Sequence, residues 1–255
     1  MEERINKILD DIEKEHKVKI LYACESGSRA WGFDSVDSDF DVRFIYAPSP
    51  EHYFKIYRGR DVIELPVNKV LDVNGWSLDK ALRLLEKYNP TLMEWINSPK
   101  VYRKDETFYN QLVDLSNVFY NATTCKYHYY HMARGNFARY LSEEVVSMKK
   151  YLYVLRPLIA IEYINKFDRM PPTSFLQTIE KIDMDAEVKN EILNLVEAKK
   201  SGAELGKSKK SELLSEYINS KLVELKPERG GVTNHDTTEL DNFLLDTIMQ
   251  VNRLG

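Results

Sequence analysis

Residues 24–46 read CESGSRAWGFDSVDSDFDVRFIY, and the placing of their aspartates decides the fold. Asp39, Asp41, Arg43 and Ile45 alternate with Phe40, Val42, Phe44 and Tyr46, so 39–47 reads as a strand with one apolar face and one that opens on two carboxylates. The apolar face holds the register, because a slip of one residue would turn the aspartates inward. Asp39 and Asp41 then project together from Cα atoms about 6.5–7 Å apart. Two carboxylates at that spacing repel unless positive charge lies between them. A pair of divalent cations about 3.5–4 Å apart fits the gap, and hard oxygen ligands suit Mg2+ or Mn2+. The plainer reading is a pair of aspartates pointing into water from an edge strand.

The residues upstream weigh on that choice. Gly27-Ser28 closes an apolar run, VKILYAC at 18–24, that has the length and composition of a buried strand, and it opens a short helix in SRAWGF. Glycine permits close approach, and backbone N–H groups with a hydroxyl at a helix start can cradle a phosphate chain. Arg29 reads either as a phosphate contact or as a partner of Glu25 or Asp34. Asp37 and Ser38 read as turn or cap residues. Arg43 shares the carboxylate face and reads as an ion-pair partner that organises the aspartates.

Outward from this stretch, residues 1–16 form an amphipathic helix with Ile5, Ile8, Leu9 and Ile12 on one face, not a secretory signal. Nothing among the 255 residues approaches the run of about 18–20 apolar residues that a membrane span needs. Cys24 and Cys125 form neither a disulfide framework nor a zinc pattern and read as small buried hydrophobes. A soluble protein of a reducing cytoplasm is the expectation.

Downstream, Pro48 and Pro50 break the strand, and 61–72 reads as one or two strands interrupted at Pro66. NGW at 74–76 reads as a turn, Ser77 caps a helix over LDKALRLLEKY, and Asn89-Pro90 starts the next. Beyond about 104 the strand patterns give way to helical periodicities at 105–120, 122–141, 143–167, 173–181, 185–200, 211–225 and 238–253. A Gly- and Pro-containing loop is expected over 225–237. The fold class is therefore α+β, with a mixed domain over 1–120 and an all-helical domain over 121–255.

The order Gly-Ser, ten residues, Asp-x-Asp on a strand resembles the DNA polymerase beta-like nucleotidyltransferase superfamily. The longer run GSRAWGFDSVDSDFDVRFIY, with NGWSLDKALRLLEKYNPTLMEWINSPKVY, KKYLYVLRPLIAIEYI and the prolines at 171 and 172, resembles its RNA-repair-pathway branch, of the YcgL or RlaP type. That resemblance touches about 24–175. It implies a small mixed sheet with helices, followed by the helical part. It implies a third carboxylate on a neighbouring strand, for which Asp72 and Glu64 compete; Asp72 ends an apolar strand just before NGW and is preferred. It also implies in-line attack of a hydroxyl on the α-phosphorus of a nucleoside triphosphate such as ATP, with two metals held by Asp39, Asp41 and the third carboxylate, and an RNA end as acceptor.

The net charge of −4 excludes a globally basic nucleic-acid coat, yet 121–170 carries eight basic and four acidic side chains. Aromatics are interleaved with those cations, as at a nucleotide or single-strand site, although most aromatics at helical spacing belong to a core. Lys149, Tyr153 and Arg156 recur on one helix face and are the candidate nucleotide contacts beside Gly27, Ser28 and Arg29; Lys150 is their neighbour. His128 and His131, at i, i+3, lack a third ligand for a metal. The resulting expectation is a metal-dependent nucleotidyltransferase acting on RNA or tRNA. Transfer to a protein or small-molecule hydroxyl is the second reading, and a binding module without turnover the third.

Overall fold

The computed structural model describes residues 1–67, 70–202, 206–227 and 236–253, the side chains of 252 and 253 excepted. Helix α1 (Glu2–His16) leads through Lys17, in the left-handed conformation, into strand β1 (Val18–Glu25). Helix α2 (Gly27–Trp31), β2 (Phe40–Pro48), a 3-10 turn at Pro50–His52, β3 (Val62–Glu64) and β4 (Leu71–Ser77) follow. Next come α3 (Leu78–Glu86), α4 (Pro90–Ile96), β5 (Val101–Lys104) and α5 (Glu106–Val118). The remainder comprises α6 (Ala122–Tyr140), β6 (Val145–Ser147), α7 (Lys149–Phe167), α8 (Phe175–Ile179), α9 (Ala186–Lys200), β7 (Lys207–Lys209), α10 (Glu212–Glu224) and α11 (Thr238–Arg253). The architecture is α+β: a five-stranded mixed sheet with helices, then a mostly helical part.

The sheet order is β3-β4-β2-β1-β5, with β2 and β4 parallel and the other neighbours antiparallel. One face is apolar because β2 and β4 alternate: Val42, Phe44 and Tyr46 pack with Leu71 and Val73 against Ile5, Leu9 and Ile12 of α1. Burying each of those three α1 side chains is worth about 1.5–3 kcal/mol, which anchors the helix there. The other face of β2 and β4 begins with Asp41 and Asp72.

By contacts the chain divides into two units. Met1–Ala30, Asp39–Tyr120 and Thr233–Gly255 form one; Trp31–Ser38 and Asn121–Val232 form the other. In the first, α11 joins the sheet part, where Phe243 stacks on Phe108 with ring centroids 5.4 Å apart. In the second, Trp31 and Phe33 pack with the helices: Phe33 meets Phe175 edge-on at 5.9 Å, and Trp31 meets Tyr153 edge-on at 6.1 Å.

Two expectations are corrected. Asn74-Gly75-Trp76 is not a turn but the middle of β4. Gly75 lies opposite Phe44 in the parallel ladder, and the Phe44 ring fills the space a Cβ would take, so this glycine makes room for a side chain and does not bend the chain. The helix expected over 143–167 begins only at Lys149; before it, β-branched Val145 and Val146 form β6, antiparallel to β7. The helical part thus carries a two-stranded sheet. The loop expected over 225–237 lies largely outside the described residues. Cys24 and Cys125 are buried thiols, and among the described residues no helix is long and apolar enough to cross a membrane.

Candidate active site

The parallel register sets Asp41 directly opposite Asp72, so the two carboxylates leave the same sheet face from neighbouring strands. Arg43 lies between them. Its Nη2 donates to Asp41 Oδ1 at 2.9 Å and to Asp72 Oδ2 at 2.8 Å, while Nη1 donates to the carbonyls of Val42 and Asp72 at 3.1 Å. One guanidinium therefore ties both acids to the backbone of both strands. Glu64, the competitor of Asp72, faces Asn74 in the register of β3 and β4; its carboxylate accepts from Asn74 Nδ2 and from Arg60.

Asp39 stands just before β2 and is exposed. Burial pushes the Asp41 carboxyl above the ordinary carboxylate value, Arg43 opposes the rise, and the negative charges of Asp39 and Asp72 reinforce it. Three acids thus act on one another with Arg43 as the cation bridging two of them.

Gly27 has φ +60°, and a Cβ there would overlap Asp41 Oδ2. The Asp41 carboxylate packs against the start of α2 because residue 27 has no side chain. Ser28 follows, buried. Arg29 donates from Nε to the Asp39 carbonyl at 3.1 Å, and its guanidinium lies 3.8 Å over the Phe40 ring. That is a contact neither of its two sequence readings named. Ser38 is a turn residue, its Oγ accepting from the Ser35 N–H.

Glu25 plays a part that sequence reasoning missed. It is 1% exposed at the end of β1. Its Oε1 accepts from the Asp41 N–H at 2.7 Å, its Oε2 accepts from the Tyr102 hydroxyl, and its carbonyl accepts from Ser98 Oγ at 2.6 Å. Burial raises its carboxyl above the ordinary value, against the lowering effect of the Tyr102 and Asp41 bonds. A buried acid spanning β2 and β5 in this way fixes the backbone from which the Asp41 side chain springs. Glu25→Ala is expected to lower stability by about 2 kcal/mol or more, because two donors lose their acceptor in a dry site. Glu25→Gln keeps an acceptor for the Asp41 N–H and should recover most of that loss in a urea titration; equal losses in both variants would show that charge, not hydrogen bonding, is what counts.

The candidates in the helical unit have their own setting. The Arg156 guanidinium lies 4.1 Å over the Trp31 ring, which itself meets Tyr153. Lys150, rather than the exposed Lys149, sits over the Tyr153 and Tyr140 rings, at 4.5 and 4.3 Å. Tyr129, Tyr130, Tyr151 and Tyr163 are buried and belong to the core.

Among the described residues no group of three or more His, Cys, Asp or Glu is arranged to hold a metal ion. The donor set of Asp39, Asp41 and Asp72 nevertheless suits a hard divalent cation. All the donors are carboxylate oxygens, the hard ligands that such a cation takes.

A family model described as "RlaP: RNA repair pathway DNA polymerase beta family" matches residues 1–246. The Bacillus subtilis (strain 168) protein described as "Uncharacterized protein YcgL" is 42% identical over 258 residues, spanning 100% of this chain and 99% of its own. A crystal structure of a nucleotidyltransferase-like protein from Exiguobacterium sibiricum 255-15 aligns over 100% of this chain and 89% of its own at 12% identity, with a TM-score of 0.33, too low for any inference.

Proposed function

This chain belongs to the RlaP family, the RNA repair pathway DNA polymerase beta family, and from that premise we propose that it moves a nucleoside monophosphate from a nucleoside triphosphate to the hydroxyl of an RNA end, releasing pyrophosphate. The observation that carries the reading is the pairing of Asp41 with Asp72 on parallel strands, with the side-chain-free Gly27 against the Asp41 carboxylate.

In this reading Asp39, Asp41 and Asp72 hold Mg2+ or Mn2+, and Arg43 keeps Asp41 and Asp72 aligned. The bound metals would supply activation of the acceptor oxygen and neutralisation of the leaving pyrophosphate. Asp72 takes the proton of the attacking hydroxyl. Gly27 and Ser28 receive the triphosphate through backbone N–H groups and a hydroxyl, with Arg29 beside them. Lys149, Tyr153 and Arg156 of the helical part contact the nucleotide, by charge and by stacking. Catalysis is assigned to 1–120, whose sheet unit α11 joins, and substrate binding to the helical part of 121–255. Transfer of this kind depends on positioning and charge neutralisation, with no covalent intermediate on the protein.

The test is incubation with each α-labelled nucleoside triphosphate and Mg2+ or Mn2+, with tRNA, with total RNA and with no added acceptor. Label entering RNA is expected. Label on the protein itself would move the acceptor to a protein hydroxyl, and nucleotide binding without incorporation under any condition would leave a binding module.

A further inference from the structure

Within the loop between β2 and β3, the stretch YFKIYRGR at 53–60 carries three cations and no carboxylate, and Glu51 and Asp61 flank it. Its apolar side chains are turned outward: Phe54 is 86% exposed, Ile56 93% and Tyr57 90%. A folded chain seldom leaves three large apolar residues so open within four positions, and such a patch marks an interaction surface.

The composition selects the partner. A protein-binding patch concentrates its apolar residues and keeps charge, lysine above all, out of its centre. Here Lys55 separates Phe54 from Ile56, and Arg58 follows Tyr57 directly, so each ring is followed by a cation, the combination that a single-stranded nucleic acid uses, with bases on the aromatics and phosphates on Lys and Arg. Charge complementarity points the same way. The first 120 residues carry 17 basic and 21 acidic side chains, and this loop stands out as a basic segment among them.

The loop is also tied to the sheet face that bears the carboxylates. Arg60 donates to Glu64 on β3, and Glu64 accepts from Asn74 on β4. Asn74 is level with Arg43 on β2, and Arg43 binds Asp41 and Asp72. A polar row therefore runs along one face from Glu64 to the acid pair. The foot of the loop lies further off: the Asp61 carbonyl accepts from the Ser77 N–H, two strand spacings across and five residues along from Asp41, about 10 Å by about 17 Å, a span that a short oligonucleotide covers.

We propose that this loop, through Phe54, Tyr57, Lys55 and Arg58, grips the single-stranded acceptor RNA and presents its end to the Asp41–Asp72 face. The proposal rests on the reading of an RNA acceptor given above.

The experiment measures fluorescence anisotropy of a labelled single-stranded 12-nucleotide RNA of mixed sequence, titrated with the full chain at several salt concentrations. Phe54→Ala with Tyr57→Ala is expected to weaken binding by about tenfold or more. Lys55→Gln with Arg58→Gln is expected to flatten the slope of log affinity against log salt by about 1.4, the value for two phosphate contacts on a single strand. Val223→Ser, which removes an 80% exposed apolar residue of α10, should bind as wild type does. All the loop changes are at the surface, and matching thermal midpoints check that each variant is folded.

Wild-type affinity and salt slope in the loop variants would overturn the proposal, as would absence of RNA binding by the wild-type chain. Loss of binding to phosphatidylserine vesicles with RNA binding intact would overturn it in favour of a lipid surface. Label incorporation run in parallel separates the two readings: incorporation into RNA that the loop changes leave untouched sinks the loop assignment alone. Loop-dependent RNA binding with no incorporation sinks nucleotidyl transfer and leaves the loop as the RNA contact.

Discussion

Asp41→Ala is expected to reduce metal-dependent label incorporation by at least about a thousandfold while leaving the fold intact. The loss follows from charge. Asp41 is the acid that couples to both Asp39 and Asp72, so removing it separates the two remaining carboxylates and leaves Arg43 paired with Asp72 alone. The fold should survive for the same reason. Asp41 is part-buried with its carboxyl already raised, by burial first and by its acidic neighbours second, so the native state gains little from its ionised form. Its removal relieves repulsion as it deletes one ion pair, and the thermal midpoint should stay within about 2–4 °C of wild type or rise. Asp41→Asn, which keeps the shape and an acceptor for Arg43, should be as inactive as alanine if charge is the requirement. Near-normal incorporation by either variant would remove Asp41 from the site, whatever its geometry.

How much of this arrangement the sequence discloses depends on how local each feature is. The face shared by Asp41 and Arg43 is legible in DFDVRFIY alone, because alternation along a strand needs no partner. Helices α1 and α11 are legible from their amphipathic spacing, and α4 from Asn89, whose side chain accepts from the N–H groups of Thr91 and Leu92 as a cap should. The pairing of Asp41 with Asp72 is not local. It depends on a parallel register closed over the segment between them, which no window of sequence contains, and so the sequence leaves Asp72 and Glu64 in competition.

Glu25 was hidden for the same reason. At the end of an apolar strand it looks like the first polar residue of a turn, and only β5, 77 residues away, reveals that Tyr102 uses it as an acceptor. β7 was hidden differently: Lys207-Ser208-Lys209 has no apolar alternation, and its three residues are exposed, so it is a strand only because β6 lies beside it. NGW misled through a general rule. Glycine marks turns on average, but within a sheet it also marks the place where a neighbouring strand needs the volume.

That volume sets the largest expected effect on stability. Gly75→Ala should destabilise the sheet part by about 2–3 kcal/mol, because its new methyl group would overlap the ring of Phe44, which is 0% exposed. The ring has little room to withdraw: its neighbours Val42 and Tyr46 belong to the apolar face against α1, and the Tyr46 ring centroid is 6.0 Å away. If overlap is the cause, shrinking the ring must relieve it. Phe44→Leu alone should be destabilising through the cavity it leaves, yet Gly75→Ala combined with Phe44→Leu should be more stable than the sum of the two losses predicts, by at least about 1 kcal/mol. The stacked Trp76 and Trp95 rings, 3.8 Å apart in the same sheet part, offer a near-ultraviolet signal to follow in urea. Strictly additive losses would mean that Gly75 is required for its backbone and not for the space it leaves to Phe44.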